Sequence, residues 1–302
     1  MEPGLRWSAC LAAAIAGLLT LTSCAQRQPG FDAVRAYADL THQTQLGPRI
    51  PGTTAHQACL AWMKAELSHR ADSVMAQTFR GAMLGSPDSM PMTNLIARFH
   101  TTAKKRILIA AHWDTRPFAD NDPDSTNWRR PFEGANDGGS GVAILMELAR
   151  ALDSIPPSQG VDLAFFDGED LGKGGELPGN WCQGSRHFAA NLTSHYEWGI
   201  VIDMVGGKGL RIPFEGYSLR LAPELVERTW KAAERLREGA FVRARGTDVY
   251  DDHMPLLMRG IKVIDLIDFD YEWWHTIHDT AENCSAESLG SVGRVLLAMI
   301  YE

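Results

Sequence analysis

The 302-residue sequence predicts an α/β protein, a three-layer α/β/α sandwich around a mixed, mostly parallel central sheet. Strand-length apolar runs alternate along the chain with longer segments of helical periodicity, a pattern that lays helices over both faces of one sheet. Several runs, at 106–111, 161–166 and 199–204, are apolar without alternation, as expected of strands covered on both sides. Four strands end at acidic or histidine residues, which gathers charge along the edge where open α/β folds keep their sites.

The elements follow in order. Residues 30–45 carry apolar side chains at helical spacing until Leu46-Gly-Pro-Arg-Ile-Pro-Gly-Thr53 breaks the pattern. A second helix spans about 54–70, burying Cys59, Leu60, Trp62, Met63 and Leu67. Segments 73–80 and 93–100 read as strands, and 106–111 as a buried one. Trp113 to Asn136 is polar, rich in Pro, Asp and Trp, and without period, so a long surface loop near the site is expected. Gly138-Gly-Ser-Gly141 opens a helix with Val142, Leu145, Met146, Ala149 and Leu152 on one stripe. Strand 161–166, loop 167–184, a short helix at 185–191 and strand 199–204 come next. An amphipathic helix at 223–238, a strand at 261–267 and a closing helix at 286–302 complete the pattern, with no internal repeat.

Ahead of this body, Arg6 gives a weakly basic start and Leu11 to Leu21 is almost wholly apolar. That core is too short for a membrane span and reads as an export signal. Leu21-Thr-Ser-Cys24 resembles a bacterial lipobox, which implies a lipoprotein signal peptide at 1–23, lipid on the Cys24 sulfur and a tethered single domain at 24–302. The expected location is the cell envelope. Ala25 offers no inner-membrane retention residue, which favours the outer membrane facing the periplasm. Net charge is −8 with no basic stripe, which excludes a nucleic-acid partner. Cys59, Cys182 and Cys284 are odd in number and widely spaced, with no Cys-x-x-Cys pair. They read as structural thiols, with a Cys182–Cys284 pair left open.

The chemistry gathers around Val161-Asp-Leu-Ala-Phe-Phe-Asp-Gly-Glu-Asp170, where an apolar run stops at adjacent carboxylates. Neighbours on a turn aim in different directions, so Asp170 can bind a metal while Glu169 handles protons. His112, Asp137, Asp203 and His275 occupy comparable positions, and zinc takes such nitrogen and oxygen ligands. Each has a plainer reading: a structural histidine, or in Asp137 a helix cap. Asp203, inside Ile200-Val-Ile-Asp-Met-Val205, is different, because a carboxylate in a buried strand needs a partner.

Ala111-His-Trp-Asp114, Gly134-Ala-Asn-Asp-Gly-Gly-Ser-Gly141, Phe166-Asp-Gly-Glu-Asp170 and Trp274-His-Thr276 resemble the signatures of the zinc aminopeptidase family of extracytoplasmic exopeptidases. Gly47-Pro-Arg49 and Asn94-Leu-Ile-Ala97 resemble its amino-terminal motifs, so the likeness covers about 40–300. Asp251-Asp-His-Met-Pro255, Gly260 and Trp274 look like its glutaminyl cyclase branch. That resemblance implies one zinc on Asp137, Asp170 and His275, with Glu169 as general acid/base. Asp203 and Asp251 would complete an acidic network, and Trp274 would line the substrate pocket. The implied substrates are peptides or proteins with N-terminal glutamine, closed to pyroglutamate with release of ammonia. Animal cyclases carry glutamate at the position of Asp170 and histidine at that of Asp265, and their tryptophan after the paired acids is missing here, with Trp181 or Trp113 as substitutes. The principal alternative is a two-metal aminopeptidase, in which His112 and Asp203 hold a second ion and Asp137 bridges. A non-enzymatic binding ectodomain would have lost ligands, and none is lost here.

Overall fold

The computed structural model describes residue 1 and residues 28–83, 88–175 and 178–302. The leader from residue 2 onward, with Cys24, lies outside the described residues. The strands are β1 Ser73–Ala82, β2 Ser89–Phe99, β3 Arg106–His112, β4 Gly160–Phe166, β5 Gly199–Asp203, β6 Ile212–Phe214, β7 Phe241–Arg245 and β8 Val263–Ile267. The helices are α1 Ala33–Gln45, α2 Thr54–Ser68, α3 Gly139–Ser154, α4 Gln183–Ala190, α5 Gly216–Leu221, α6 Pro223–Leu236, α7 His253–Met258 and α8 Ala286–Tyr301.

Six strands form the central sheet in the order β1-β2-β4-β3-β5-β8. β1, β2 and β4 pair antiparallel, whereas β4, β3, β5 and β8 run parallel. β6 and β7 make a separate two-stranded ribbon. Both faces of the sheet are covered, as the unalternated runs require. Ile107, Ile109, Leu163, Ile200 and Leu266 pack with the apolar stripes of α1, α2, α3, α6 and α8. The alternate residues Leu108, Ala110, Ala164, Val201 and Val263 face Phe188 of α4 and Leu256 of α7. The result is the three-layer α/β/α sandwich with a mixed, mostly parallel sheet.

Register places the chemistry. His112 pairs with Phe166, Asp203 pairs with Ile267, and Ala110 pairs with Val201 two residues before the end of each strand. The carboxyl ends of β3, β4, β5 and β8 are therefore level, and the acidic residues that close them meet on one edge.

The expected surface loop at 113–136 holds for 120–131, which is mostly exposed, and is corrected for the residues around it and for Asp122. Trp113, Asp114, Thr115, Arg116 and Asp122 in it are buried. The polarity of these buried residues serves internal hydrogen bonds, as with Asp122, which accepts from Asn127 Nδ2 at 3.0 Å and from the Ile277 amide at 3.1 Å. The short α5, α7, β6 and β7 carry too few residues to show a period. Cys59, Cys182 and Cys284 are buried free thiols. Among the described residues, no helix is long and apolar enough to cross a membrane.

Candidate metal centre and substrate pocket

Asp137 precedes α3, Asp170 follows β4, and His275 sits in the loop after β8. One ligand atom from each lies within 4.8 Å of the others, and all three residues are buried. His275 Nε2 is 3.4 Å from Asp137 Oδ2 and 3.2 Å from Asp170 Oδ2. The other ring nitrogen, Nδ1, is 3.5 Å from Asp120 Oδ1. A carboxylate behind the far nitrogen fixes the ring so that Nε2 faces inward, the arrangement that backs metal-binding histidines. Asp120 is held in turn by Arg116, whose Nη1 also lies 3.3 Å from Asp170 Oδ1. Asp170 Oδ2 is buried and makes no hydrogen bond, an acceptor that a cation would satisfy. The two carboxylates and the imidazole are the nitrogen and oxygen donors that zinc takes.

His112, Asp137 and Asp203 form a second buried group of the same compactness. His112 Nε2 is 3.1 Å from Asp137 Oδ1 and 3.1 Å from Asp203 Oδ1. Burial opposes the charged His112 ring, but Asp203, Asp114 and Asp137 outweigh it and raise the imidazole, while the nearby Gly138 amide donates to Asp137 Oδ1 at 3.2 Å. The two groups share Asp137, so all five sequence-predicted ligands meet.

The turn bearing the paired acids is held from below. Asp114 accepts from the amides of Glu169 at 3.0 Å and Asp170 at 3.3 Å, which turns the two side chains apart. Glu169 is buried and receives the thiol of Cys182 at 3.3 Å. Burial pushes the Glu169 carboxyl well above its ordinary range; His112 opposes this, while Asp251, Asp170 and Asp252 add to it. Asp203 is pushed up to about 7 by burial against the pull of His112. For His275, burial opposes the charged ring, but Asp170, Asp120 and Asp137 outweigh it and raise the imidazole.

The loop Glu133–Asp137 is gripped on two sides. Arg49, wholly buried, donates to the carbonyls of Trp113 at 3.4 Å, Gly134 at 2.6 Å and Glu133. Asp279 accepts from the amides of Asn136 at 2.8 Å and Asp137 at 3.1 Å.

Beside these groups opens a pocket of about 380 Å³, reached by Asp137, Glu169, Asp170, Asp203, Asp251 and His275 on its polar side. Trp274, Phe269, Ile267 and Val249 form its apolar wall, with Trp274 and Phe269 ring centroids 4.9 Å apart. Trp181 is the tryptophan that completes this wall. Trp113 does not reach it, being stacked on His56 at 4.1 Å in the core. His278 is exposed and rests on Trp273, away from the pocket. His253 lies behind Asp251, 3.3 Å from Glu215, with both residues buried. Glu215 accepts from the amides of Tyr217, Ser218 and Val249, tying the segment that carries Val249 and Asp251 to α5. Arg116, Asp120 and Glu215 were not singled out from the sequence, and Cys182 stood there only as a structural thiol or a disulfide partner, not as a donor to Glu169. Asp120 and Arg116 carried a faint signal, as an acid and a base four apart in a loop beside the site.

The sequence profile of Peptidase family M28 matches residues 94–300, well over half the chain. The chain belongs to this family. Within it, the chain is similar to a Zn-dependent exopeptidase from Parabacteroides distasonis, with 38% identity and a TM-score of 0.87 over 91% of this chain and 100% of that one. A glutaminyl cyclase structure from Bacteroides thetaiotaomicron gives 36% identity and a TM-score of 0.86, over 91% and 99%. The glutaminyl-peptide cyclotransferase of Bos taurus is 27% identical over 244 residues, 70% of this chain and 66% of that protein. The chain thus spans just under two thirds of the length of such curated relatives.

Proposed function

We infer that this M28 protein is a zinc-dependent glutaminyl-peptide cyclotransferase, closing an N-terminal glutamine to pyroglutamate and releasing ammonia. The observation that carries this is the pocket that sets Glu169, Asp203 and Asp251 beside Asp137, Asp170 and His275, under the apolar wall of Trp274. With one metal on Asp137, Asp170 and His275, Asp203 faces the pocket with Glu169 and Asp251 while pairing with His112. Similarity to the cyclases supports the same reading.

Bound zinc would act as a Lewis acid toward the γ-amide carbonyl and the charge that develops on its oxygen. The rest belongs to the protein. The apolar wall of Trp274, Phe269, Ile267 and Val249 folds the short side chain so that its amide carbon approaches the α-amine. Asp203 and Asp251 orient that amine. The amine nitrogen bonds to the amide carbon as its proton passes to a Glu169 oxygen. Glu169 then returns the proton to the amide nitrogen as the carbon–nitrogen bond breaks and ammonia leaves. Burial, which raises the Glu169 carboxyl, makes it a stronger base for this transfer.

A second reading rests on the compactness of His112, Asp137 and Asp203. With a second ion there, water would be activated to cleave the first peptide bond. Mass spectrometry of a glutamine-initiated peptide separates the two. A mass lower by one ammonia, abolished by chelation and by Glu169→Gln, is the expected outcome. Loss of the whole first residue would replace the cyclase reading with the peptidase one.

The lipobox supports a further proposal: an exported lipoprotein anchored through Cys24, acting on envelope proteins that begin with glutamine. Detergent-phase partitioning of the full chain, lost in Cys24→Ser, is expected. Equal partitioning of both would refute the anchor.

A further inference from the structure

A second cleft, about 500 Å³, adjoins the substrate pocket and shares Tyr250 with it as a common wall. Helices α4 and α7 supply its sides through Arg186, Ala190, Pro255, Met258 and Arg259. Among the described residues no carboxylate lines it, although the chain as a whole carries a net charge of −8. Among the described residues the hydrogen bonds of its two guanidinium groups go to main-chain carbonyls. Arg186 donates to Gly179 at 2.8 Å and to Trp181 at 3.5 Å, and Arg259 to Ala189 at 2.9 Å. By contrast Arg35 pairs with Glu147, Arg150 with Asp39 and Arg70 with Glu66. Met258 at the same cleft is 74% exposed, one of few large apolar side chains left in solvent.

We propose that this cleft receives the stretch of peptide that follows the substrate's first residue, and that it selects for an acidic side chain there. The inference rests on the reading of the pocket as acting on peptide N-termini. A pocket of about 380 Å³ that encloses one residue must let the remainder of the peptide out over its rim. Tyr250 is the rim shared with the neighbouring cleft. An extended chain advances about 3.4 Å per residue, so positions three and four lie roughly 7–10 Å past the first, beyond one tyrosine side chain. There an aliphatic stem can cover Met258 and Pro255 while a carboxylate meets Arg186 and Arg259. Among the described residues both guanidiniums keep N–H groups beyond those committed to carbonyls, and these can meet a carboxylate.

The test uses zinc-loaded full-length protein and amidated glutamine peptides that differ only at positions three and four, with Asp, Ala or Lys. The readout is the ratio of kcat/KM for the Asp and Lys peptides within each variant, in low and high salt. The wild type is expected to prefer Asp about three- to tenfold, the range for one or two partly exposed ion pairs, mainly through KM. The preference should shrink in high salt and invert in the Arg186→Glu, Arg259→Glu double variant. Ring closure with a ratio within twofold of unity in the wild type, or a ratio unmoved by charge reversal, overturns the cleft alone. Absence of ring closure on every glutamine peptide overturns the proposed activity and this inference with it.

Discussion

Replacing Arg49 with methionine tests how the fold carries the metal centre. The guanidinium is wholly buried and spends its donors on three carbonyls, two of them in the loop that ends at Asp137. Methionine fills a similar volume but donates nothing. Each deprived buried carbonyl costs about 1–3 kcal/mol, with the two close bonds at the upper end and the 3.4 Å bond to Trp113 at the lower. Against this, removing a buried cation relieves a desolvation cost, which the lowered Arg49 pKa registers as its largest cause. Burial of that cation is in turn compensated by Asp279, Asp114 and Asp137, whose charges would lose their counterpart. The net is about 3 kcal/mol of destabilisation, or a melting temperature lower by about 6–12 °C at roughly 2–4 °C per kcal/mol. Zinc affinity should fall about 10- to 100-fold, as when a supporting residue behind a ligand is lost. Circular-dichroism melting with and without zinc, and zinc retained on dialysis, measure both. Arg49→Lys, which keeps the charge but not the fork, should recover less than half. A melting temperature within about 2 °C of wild type and undiminished zinc would refute the argument.

Further predictions concern the centre and its walls. His275→Ala should leave the purified protein without zinc, whereas His112→Ala should retain one equivalent by atomic absorption; zinc lost equally from both would favour the two-metal site. Cys182→Ala removes the thiol donor 3.3 Å from Glu169 and should lower kcat several-fold with KM nearly unchanged, and Cys182→Ser should restore most of it. If alanine and wild type turn over alike, the thiol does not orient Glu169. For Glu215, burial raises the carboxyl, but His253 and the amides of Ser218 and Val249 outweigh it and bring it to about 2. Its ordinary value is 4.5, so the stabilisation is complete above that pH and fades as pH falls toward 2. The melting-temperature gap between wild type and Glu215→Gln should therefore narrow in acid, and a gap constant from pH 7 to 3 would contradict the assignment.

The layers of this fold were legible because its strands and long helices declare themselves by period. The unalternated run ending at His112 predicted a strand covered on both faces, and β3 is one. Four of the five candidate ligands were legible because they close or follow such a strand or open a helix, whereas His275, in the loop after β8, stood out through its Trp-His-Thr motif. What stayed hidden depends on contacts distant in sequence. Arg49 belonged to a motif, but an arginine gives no sign in sequence that it will be wholly buried. Trp113 and Trp181 were equal candidates for the pocket wall until His56 and the core claimed the first. The segment after His112 looked solvated because polar residues do, yet Asp114 and Arg116 spend that polarity inside. Cys182 reaches Glu169 only because its residue adopts a left-handed backbone, φ 53°, which no pattern announces.

The dispersal of Asp137, Asp170 and His275 bears on the order of assembly. Asp137 precedes α3, Asp170 follows β4, and His275 comes after β8, the last strand of the sheet. A chain still lacking its final strand holds at most two of the three groups, too few to retain zinc at low concentration. With zinc held on these three residues as proposed, metal capture would be a late event in folding, gated by closure of a long chain segment rather than by local nucleation. Once captured, the ion adds its binding energy to the complete structure only, since no unfinished one presents the full set. An emerging chain would remain free of zinc until its C-terminal third had docked.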